Sequence, residues 1–403
     1  MMEQIKLKLR GLDITDWCLI IFFASRLYTS LFTFLLGPKG ILLSMGVLGL
    51  LYLAAMIENI KRKDYKFTVF FSLLFFILSM LFATLYFNPE TKFWISDYSW
   101  GFIVKVLDVR KAIFAVLVLL LVDNTEKIER DLTYSARAFG VYLIAQCGIY
   151  LAKGNWDSYF QTLSNSGMQS LYNMNLGYEL IFVAVVLIVN AWYNKNKFDL
   201  VFGIFCTSSA FLYGSRGLLI NAMAFALLFF CCIATGKEEK IRALKFLLVV
   251  FASSALFMFV QNKIVVEITY RNLTDEQIEQ LMNQDEETSR VTIGSRTAEM
   301  ASSGNLASSN GRFDIYKIGI NTIKEGHLLG EGVYGDRPHV GQEYEWGYSH
   351  NIFIEMIVSF GVFGAAFICY MAYKAFQILL DKDSKYRKLM FIFLVLSDRK
   401  SVV

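Results

Sequence analysis

Three short stretches of this chain hold side chains able to stabilise charge or move a proton. YGSRGLL (213–219) sets Ser215 and Arg216 at the end of one apolar run and against the start of the next. NGRFDIYKIGI (310–320) brings Arg312 and Asp314 to the head of a helix-like pattern. GDRPHVGQEYEWGYSHNIFIE (335–355) carries Arg337, His339, Tyr348, His350, Asn351 and Glu355, and so two of the three histidines in the chain. A guanidinium offers a planar fork of donors that matches phosphate oxygens, and the free amides at a helix start favour an anion. Imidazole is the side chain best suited to take a proton from a hydroxyl near neutral pH. Asn351 lies beside His350, and Glu355 follows about one turn on along the same face. Each stretch also has a plainer reading. Arg216 can snorkel to headgroups or pair with a structural carboxylate, Arg312 and Asp314 can be a surface pair, and a histidine at a helix start need have no chemical task.

The elements that must position these residues are membrane helices. The chain has 403 residues, is 55% hydrophobic and 16% aromatic, and contains only three prolines. That apolar share exceeds the soluble norm. A crossing helix needs about 20 mostly apolar residues, because hydrocarbon offers no partner to a free backbone group. Runs meeting that pattern lie near 15–36, 40–57, 67–87, 104–122, 134–152, 175–193, 199–213, 217–235, 244–262 and 351–373, with a last run from 388. The expected fold is therefore all-α, a polytopic bundle of about ten or eleven spans. The last run, KLMFIFLVLSDRKSVV, is too short to cross and reads as truncated.

Charge sets the expected orientation. Basic clusters at Lys6/Lys8/Arg10, Lys61/Arg62/Lys63/Lys66, Lys127/Arg130, Lys195/Lys197, Lys237/Lys240/Arg242/Lys245 and Lys382/Lys385/Arg387/Lys388 recur every second loop. Retention of Lys and Arg in the cytoplasm then puts the N-terminus inside and the one large loop outside. The expected division is an N-terminal bundle over 1–262, an extracytoplasmic loop over 263–350 and C-terminal spans over 351–403. Residues 263–345 of that loop hold eight basic and fourteen acidic residues, a net of −6, so an anion there must be met by individual arginines. The spacing of Phe313, Ile315, Ile318, Ile320 and Ile323 predicts an amphipathic helix on the membrane face. The smaller outer loop near 153–174 carries Trp156, Tyr159 and Tyr172 among amides, side chains that suit sugar and equally suit an interfacial aromatic belt.

Several chemistries find no footing. The six cysteines fall in or beside apolar runs without metal or disulfide spacing. No Walker loop or dinucleotide fingerprint is present, and the net charge of +4 does not suggest a nucleic-acid partner. Asp381-Lys382-Asp383 imitates the DxD of metal-using sugar transferases but sits at a basic, cytoplasmic helix end. Arg26 and Arg137, inside apolar runs, are expected to make structural ion pairs.

Taken in order, NMNLGYEL (173–180), the SRG at 215–217, GRFDIY…EGHLLGEGVYG and SHNIFIEMIVSFGVFG resemble the bacterial O-antigen ligase and polysaccharide polymerase family over about residues 170–375. The resemblance implies a helical fold of the membrane glycosyltransferase type, working at the outer leaflet of the bacterial plasma membrane without metal, cofactor or nucleotide sugar. It implies a donor glycan on undecaprenyl diphosphate, a glycan acceptor, and a flippase and a chain-length regulator as partner proteins. By residue, it implies that Arg216 and Arg312 hold the diphosphate and that His350 activates or positions the acceptor hydroxyl. Ser215, Asn351, Glu355, Arg337, His339, Tyr348 and Trp156 are the expected substrate contacts. Polymerase is the leading expectation and ligase its near neighbour. A lipid-linked-glycan transporter would instead place charge and broken helices near the midplane of pseudo-repeated halves. A scaffold without chemistry is the remaining class.

Overall fold

A computed structural model describes residues 11–87, 107–122, 124–153, 174–213, 216–234, 236–272, 312–325, 328–341 and 351–396, with the single positions 89 and 275. Helix dominates and no strand occurs among the described residues, as expected for an all-α polytopic membrane protein. Five of these helices are long and apolar enough to cross a bilayer, or six if one sharply bent pair makes a single span. The chain divides into two compact units, residues 1–131 with 308–378 and residues 132–307 with 379–402.

The first unit begins with α1 (Ile14–Phe23) and α2 (Ser25–Leu36), which are bent by 79° about Ala24. The apolar run at 15–36 is therefore broken and not a straight span. α3 (Lys39–Lys61) and α4 (Thr68–Phe87) are both long enough to cross. α5 (Ala112–Leu121) has only ten residues, about 15 Å at 1.5 Å per residue, against about 30 Å of hydrocarbon. The charges that crowd its approach satisfy each other, since Arg110 donates to both oxygens of Asp108 at 2.9 and 2.8 Å. Two buried polar groups tie α5 to α3: Tyr52 Oη donates to the Val109 carbonyl at 2.9 Å, and Asn59 Nδ2 to that of Leu121 at 3.0 Å.

The basic end of this unit is fastened by charge. Asp13 caps α1, its Oδ1 accepting from the Asp16 backbone while Asp16 Oδ2 accepts from the Asp13 backbone, both at 2.9 Å. Lys127 and Arg130, in the first turns of α6 (Thr125–Lys153), then reach Asp13 at 2.8 Å and Asp16 at 2.7 Å. Arg130 also holds Asp131 at 2.8 Å, so two fully buried carboxylates share one guanidinium. Burial pushes the Asp131 carboxyl up to about 7, with the charge of Asp16 adding to it and Arg130 opposing. Asp13 goes the other way: burial alone would raise it, but hydrogen bonds from Lys127, Thr15 and the Asp16 backbone hold it well below the usual carboxylate range.

The second unit centres on α7 (Met174–Asn194) and α8 (Lys197–Tyr213). α7 is buried nearly all round, from Leu180 to Val189 without interruption. Glycines allow the close packing: a Cβ on Gly203 would stand 2.7 Å from Ile188, and one on Gly140 of α6 would stand 2.8 Å from Val183. Arg137 of α6 grips Asp199 through two bonds of 2.8 and 2.7 Å, and Asn190 adds a third at 2.6 Å. This is the ion pair expected of Arg137. α9 (Arg216–Leu228) widens into a π-helical turn at Phe229–Ile233, where Arg387 of α14 (Arg387–Leu396) donates to the Cys232 carbonyl. α10 (Lys237–Asn272) runs for 36 residues, about 54 Å, longer than a bilayer crossing needs. Ser208 and Ser209 of α8 both bond Gln261 of α10, at 2.8 and 3.0 Å.

A pH test follows from the charged knot. With a folded value near 7 and an unfolded one near 4, Asp131 binds its extra proton in the native state across that window, so its effect is to lower stability as pH rises from 4 to 7. Asp13 contributes stability that disappears only as pH falls below about 4, outside the window. Thermal melts of the detergent-purified protein between pH 5 and 8 are expected to show a decline that Asp131→Asn makes shallower, the rest coming from Glu355, which burial also pushes up to about 7. Parallel curves for parent and variant would contradict the assignment.

Candidate functional site

The first unit contains a helix that breaks and is repaired by a neighbouring loop. α13 (Ile352–Leu380) is interrupted at Gly361, whose φ of 55° and ψ of −133° leave helical space altogether. An unbroken helix would pair Val362 N–H with the Val358 carbonyl and Phe363 N–H with that of Ser359. The segment 328–332 takes over. Val362 N–H donates to the Leu328 carbonyl, Glu331 N–H to that of Val358 and Gly332 N–H to that of Ser359, each at 2.9 Å. A peptide group opened in apolar surroundings is costly unless it finds such a partner. Only glycine fits either side of the junction. Gly330 has φ +81°, and a Cβ there would fall on the Ser359 carbonyl, while one on Gly361 would fall on that of Leu328.

The break redefines the expected span at 351–373. Residues 362–380 alone measure about 28 Å as a helix, close to a bilayer's hydrocarbon depth, while 352–360 forms a separate short segment. Asn351 caps that segment, its Oδ1 accepting from Phe353 N–H at 3.0 Å and Ile354 N–H at 3.3 Å. The side-chain oxygen expected to touch substrate is thus engaged with backbone. Against the segment lies α11 (Arg312–Lys324), the helix anticipated from its apolar spacing, with Gly319 giving room for Ile354. Its buried face is Ile315, Gly319 and Thr322, whereas Ile320 and Ile323 stay exposed and available to a membrane surface.

After the repaired junction the chain turns through Tyr334 and Asp336 into the short α12 (Arg337–Gly341). Arg337 lies 4.2 Å over the Tyr334 ring and 3.9 Å from Glu355 Oε1. His339 Nε2 is 2.7 Å from Glu331 Oε2, on the very residue whose backbone repairs the helix. Asp336 is buried in the same turn. Burial pushes the Tyr334 phenol up, with Glu355 and Asp336 adding to it and Arg337 opposing. The structure therefore gathers Arg337, His339 and Glu355, three of the expected substrate contacts. It adds Glu331, Tyr334 and Asp336, which the sequence reading passed over although the glycines around them marked a tight turn.

The remaining expected residues are placed by element. Arg312 is the first residue of α11 in the first unit, and Arg216 is the first residue of α9 in the second. Ser215, Trp156, Tyr348 and His350 lie outside the described residues. No group of three or more His, Cys, Asp or Glu able to hold a metal ion occurs among the described residues. A small apolar pocket in the second unit, between Ile181, Ile188, Phe225 and Val250, has Thr207 and Asn221 as its polar lining. It is not where the ionisable groups collect.

Residues 201–369 match the family model of the O-antigen ligases. That region is similar to the O-antigen ligase and polymerase-like family. Searches of curated proteins and of solved structures found no match. The matched region takes in α8 from residue 201, then α9 to α12, with Arg216, Arg312, the repaired junction and Gly361. NMNLGYEL, included in the resemblance above, precedes it.

Gly361→Ala is expected to lose about 1–3 kcal/mol of stability through left-handed strain and loss of the repaired junction. The lowered melting temperature of the detergent-solubilised protein measures this. Gly46→Ala, where an added Cβ meets open space, is the control expected to melt no lower than the parent. Equal melting of Gly361→Ala and parent would contradict the strained junction.

Proposed function

We propose that this protein polymerises oligosaccharide repeat units carried on undecaprenyl diphosphate, by inverting glycosyl transfer at the outer leaflet of the bacterial plasma membrane. The single observation that carries the reading is the O-antigen ligase match over 201–369, which contains Arg216 and Arg312, each the first residue of a helix, and the residues Arg337, His339 and Glu355. Orientation follows the basic clusters, with the N-terminus in the cytoplasm and the loop 263–350 outside. The substrate then meets the protein where the positively charged loops are not.

In the proposed reaction an acceptor hydroxyl attacks the anomeric carbon of the donor glycan. The new C–O bond forms as the bond to the diphosphate breaks, and the diphosphate departs as an anion. Arg216 and Arg312 meet that growing charge, which is the largest demand a leaving diphosphate makes. His350 receives the acceptor proton. Arg337 and His339 face a different partner. Three carboxylates, Glu331, Asp336 and Glu355, surround them, which disfavours a diphosphate and favours the hydroxyls of sugar, for which carboxylates are acceptors and Arg337 a donor. Ser215, Tyr348 and Trp156 complete the contacts expected around the glycan, with a flippase delivering the lipid-linked unit and a chain-length regulator ending growth. Ligation is the same chemistry with a different acceptor.

The test is extension of a purified lipid-linked repeat unit by the reconstituted protein, read as a ladder of lipid-linked chains. Arg216→Ala and Arg312→Ala are each expected to lower kcat/KM about 10²–10³-fold, and lysine to restore little of it because it lacks the fork. His350→Ala is expected to lose about 10²-fold or more. EDTA should leave the rate unchanged, since arginines do the work a divalent cation would otherwise do. Variants that extend as well as the parent would overturn the residue roles. A parent that transfers glycan only to a non-repeat acceptor would select ligase, and one that moves lipid-linked glycan across vesicles without extending it would select a transporter.

A further inference from the structure

α4 packs against the rest of its unit through few residues. Of its twenty residues only Phe70, Leu81 and Thr84 are buried. The first two are apolar side chains packed in the ordinary way. Thr84 is different, because its hydroxyl reaches a segment 249 residues away: Oγ1 accepts from Val333 N–H at 2.9 Å. The hydroxyl proton is directed back to the Met80 carbonyl at 2.9 Å, which leaves the lone pairs facing Val333. Gly332 makes the approach feasible, since a Cβ there would stand 2.6 Å from Thr84 Oγ1.

We propose that Thr84 is a positioning residue for the transfer site, acting through Gly332 and Val333 on the turn that carries Arg337 and His339, and touching no substrate itself. The proposal rests on the transferase reading above. Its geometric basis is a short chain of backbone bonds. Gly332 and Val333 are held to α4 at Thr84 and to the broken helix at Ser359. Gly332 then receives Gly335 N–H at 3.0 Å, and Tyr334 receives Arg337 N–H at 3.0 Å. Four residues separate Gly332 from Arg337, with a bonded turn between them. A shift at the hydroxyl therefore passes to the guanidinium with little slack to absorb it. Thr84 precedes the matched region by more than a hundred residues, so nothing in the family match assigns it a role.

The test uses an isosteric pair on the full chain in proteoliposomes. Thr84→Val keeps the shape but removes the acceptor, while Thr84→Ser keeps the hydroxyl. Displacing a reacting group by about 1 Å lowers a rate by up to about 10²-fold. The expected result for Thr84→Val is a kcat about ten- to a hundredfold lower, KM for the lipid-linked unit within about twofold, and restoration by Thr84→Ser. Amide exchange supplies a readout independent of activity, with 328–341 expected to exchange faster in Thr84→Val and not in Thr84→Ser, while α7 and α8 stay as in the parent. Faster exchange with undiminished turnover would overturn the positioning role, as would a valine variant identical to the parent in both. Faster exchange throughout the protein would also overturn it, by showing a general loss of fold. A parent that never extends a lipid-linked unit would remove the transferase reading, and the positioning role with it. That outcome is recognised because exchange at 328–341 still reports whether Thr84 holds the turn.

Discussion

A helix opened inside an apolar protein must have its freed peptide groups answered, and in this molecule that constraint fixes the arrangement around the candidate site. At Gly361 the helical ladder loses its pairing, and Leu328, Glu331 and Gly332 supply the missing partners. One exchange of backbone bonds has three consequences. It separates the segment 352–360 from the span that follows, it docks the turn carrying Arg337 and His339, and it brings Glu331 within 2.7 Å of His339. The glycines on both sides serve the same end, because two backbones approach there closer than any Cβ allows.

The chemistry divides along the same lines. In the proposed reaction Arg216 and Arg312, each the first residue of a helix, meet the diphosphate. The repaired turn is acidic on balance and half-buried, a setting in which hydroxyls are the more natural guests. The charged knot of Asp13, Asp16, Lys127 and Arg130 fastens the basic end of the first unit.

Much of the fold was legible because bilayer physics leaves so few solutions. Apolar length marks α3, α4, α7 and α10 in the sequence, and helical spacing marks α11. What local pattern does not display is a bond between distant backbones. SFGVFG reads as the interior of a span, and only the presence of Leu328 beside Gly361 turns it into a break. The 79° bend at Ala24 has no proline or glycine to announce it. Thr84 was invisible for a related reason, being one hydroxyl in an apolar run whose partner lies 249 residues away. Arg137 was legible in kind, as a buried cation needing a carboxylate, but Asp199 became its partner only through the packing of α6 against α8.

The central claim, that the protein forms glycosidic bonds at the expense of a polyprenyl diphosphate linkage, is tested most directly by stoichiometry. Purified protein would be given a labelled lipid-linked repeat unit, and free polyprenyl diphosphate would be counted against new glycosidic bonds in the same sample. The account predicts one diphosphate released for each bond formed. Release without bond formation, or bond formation without release, would contradict it.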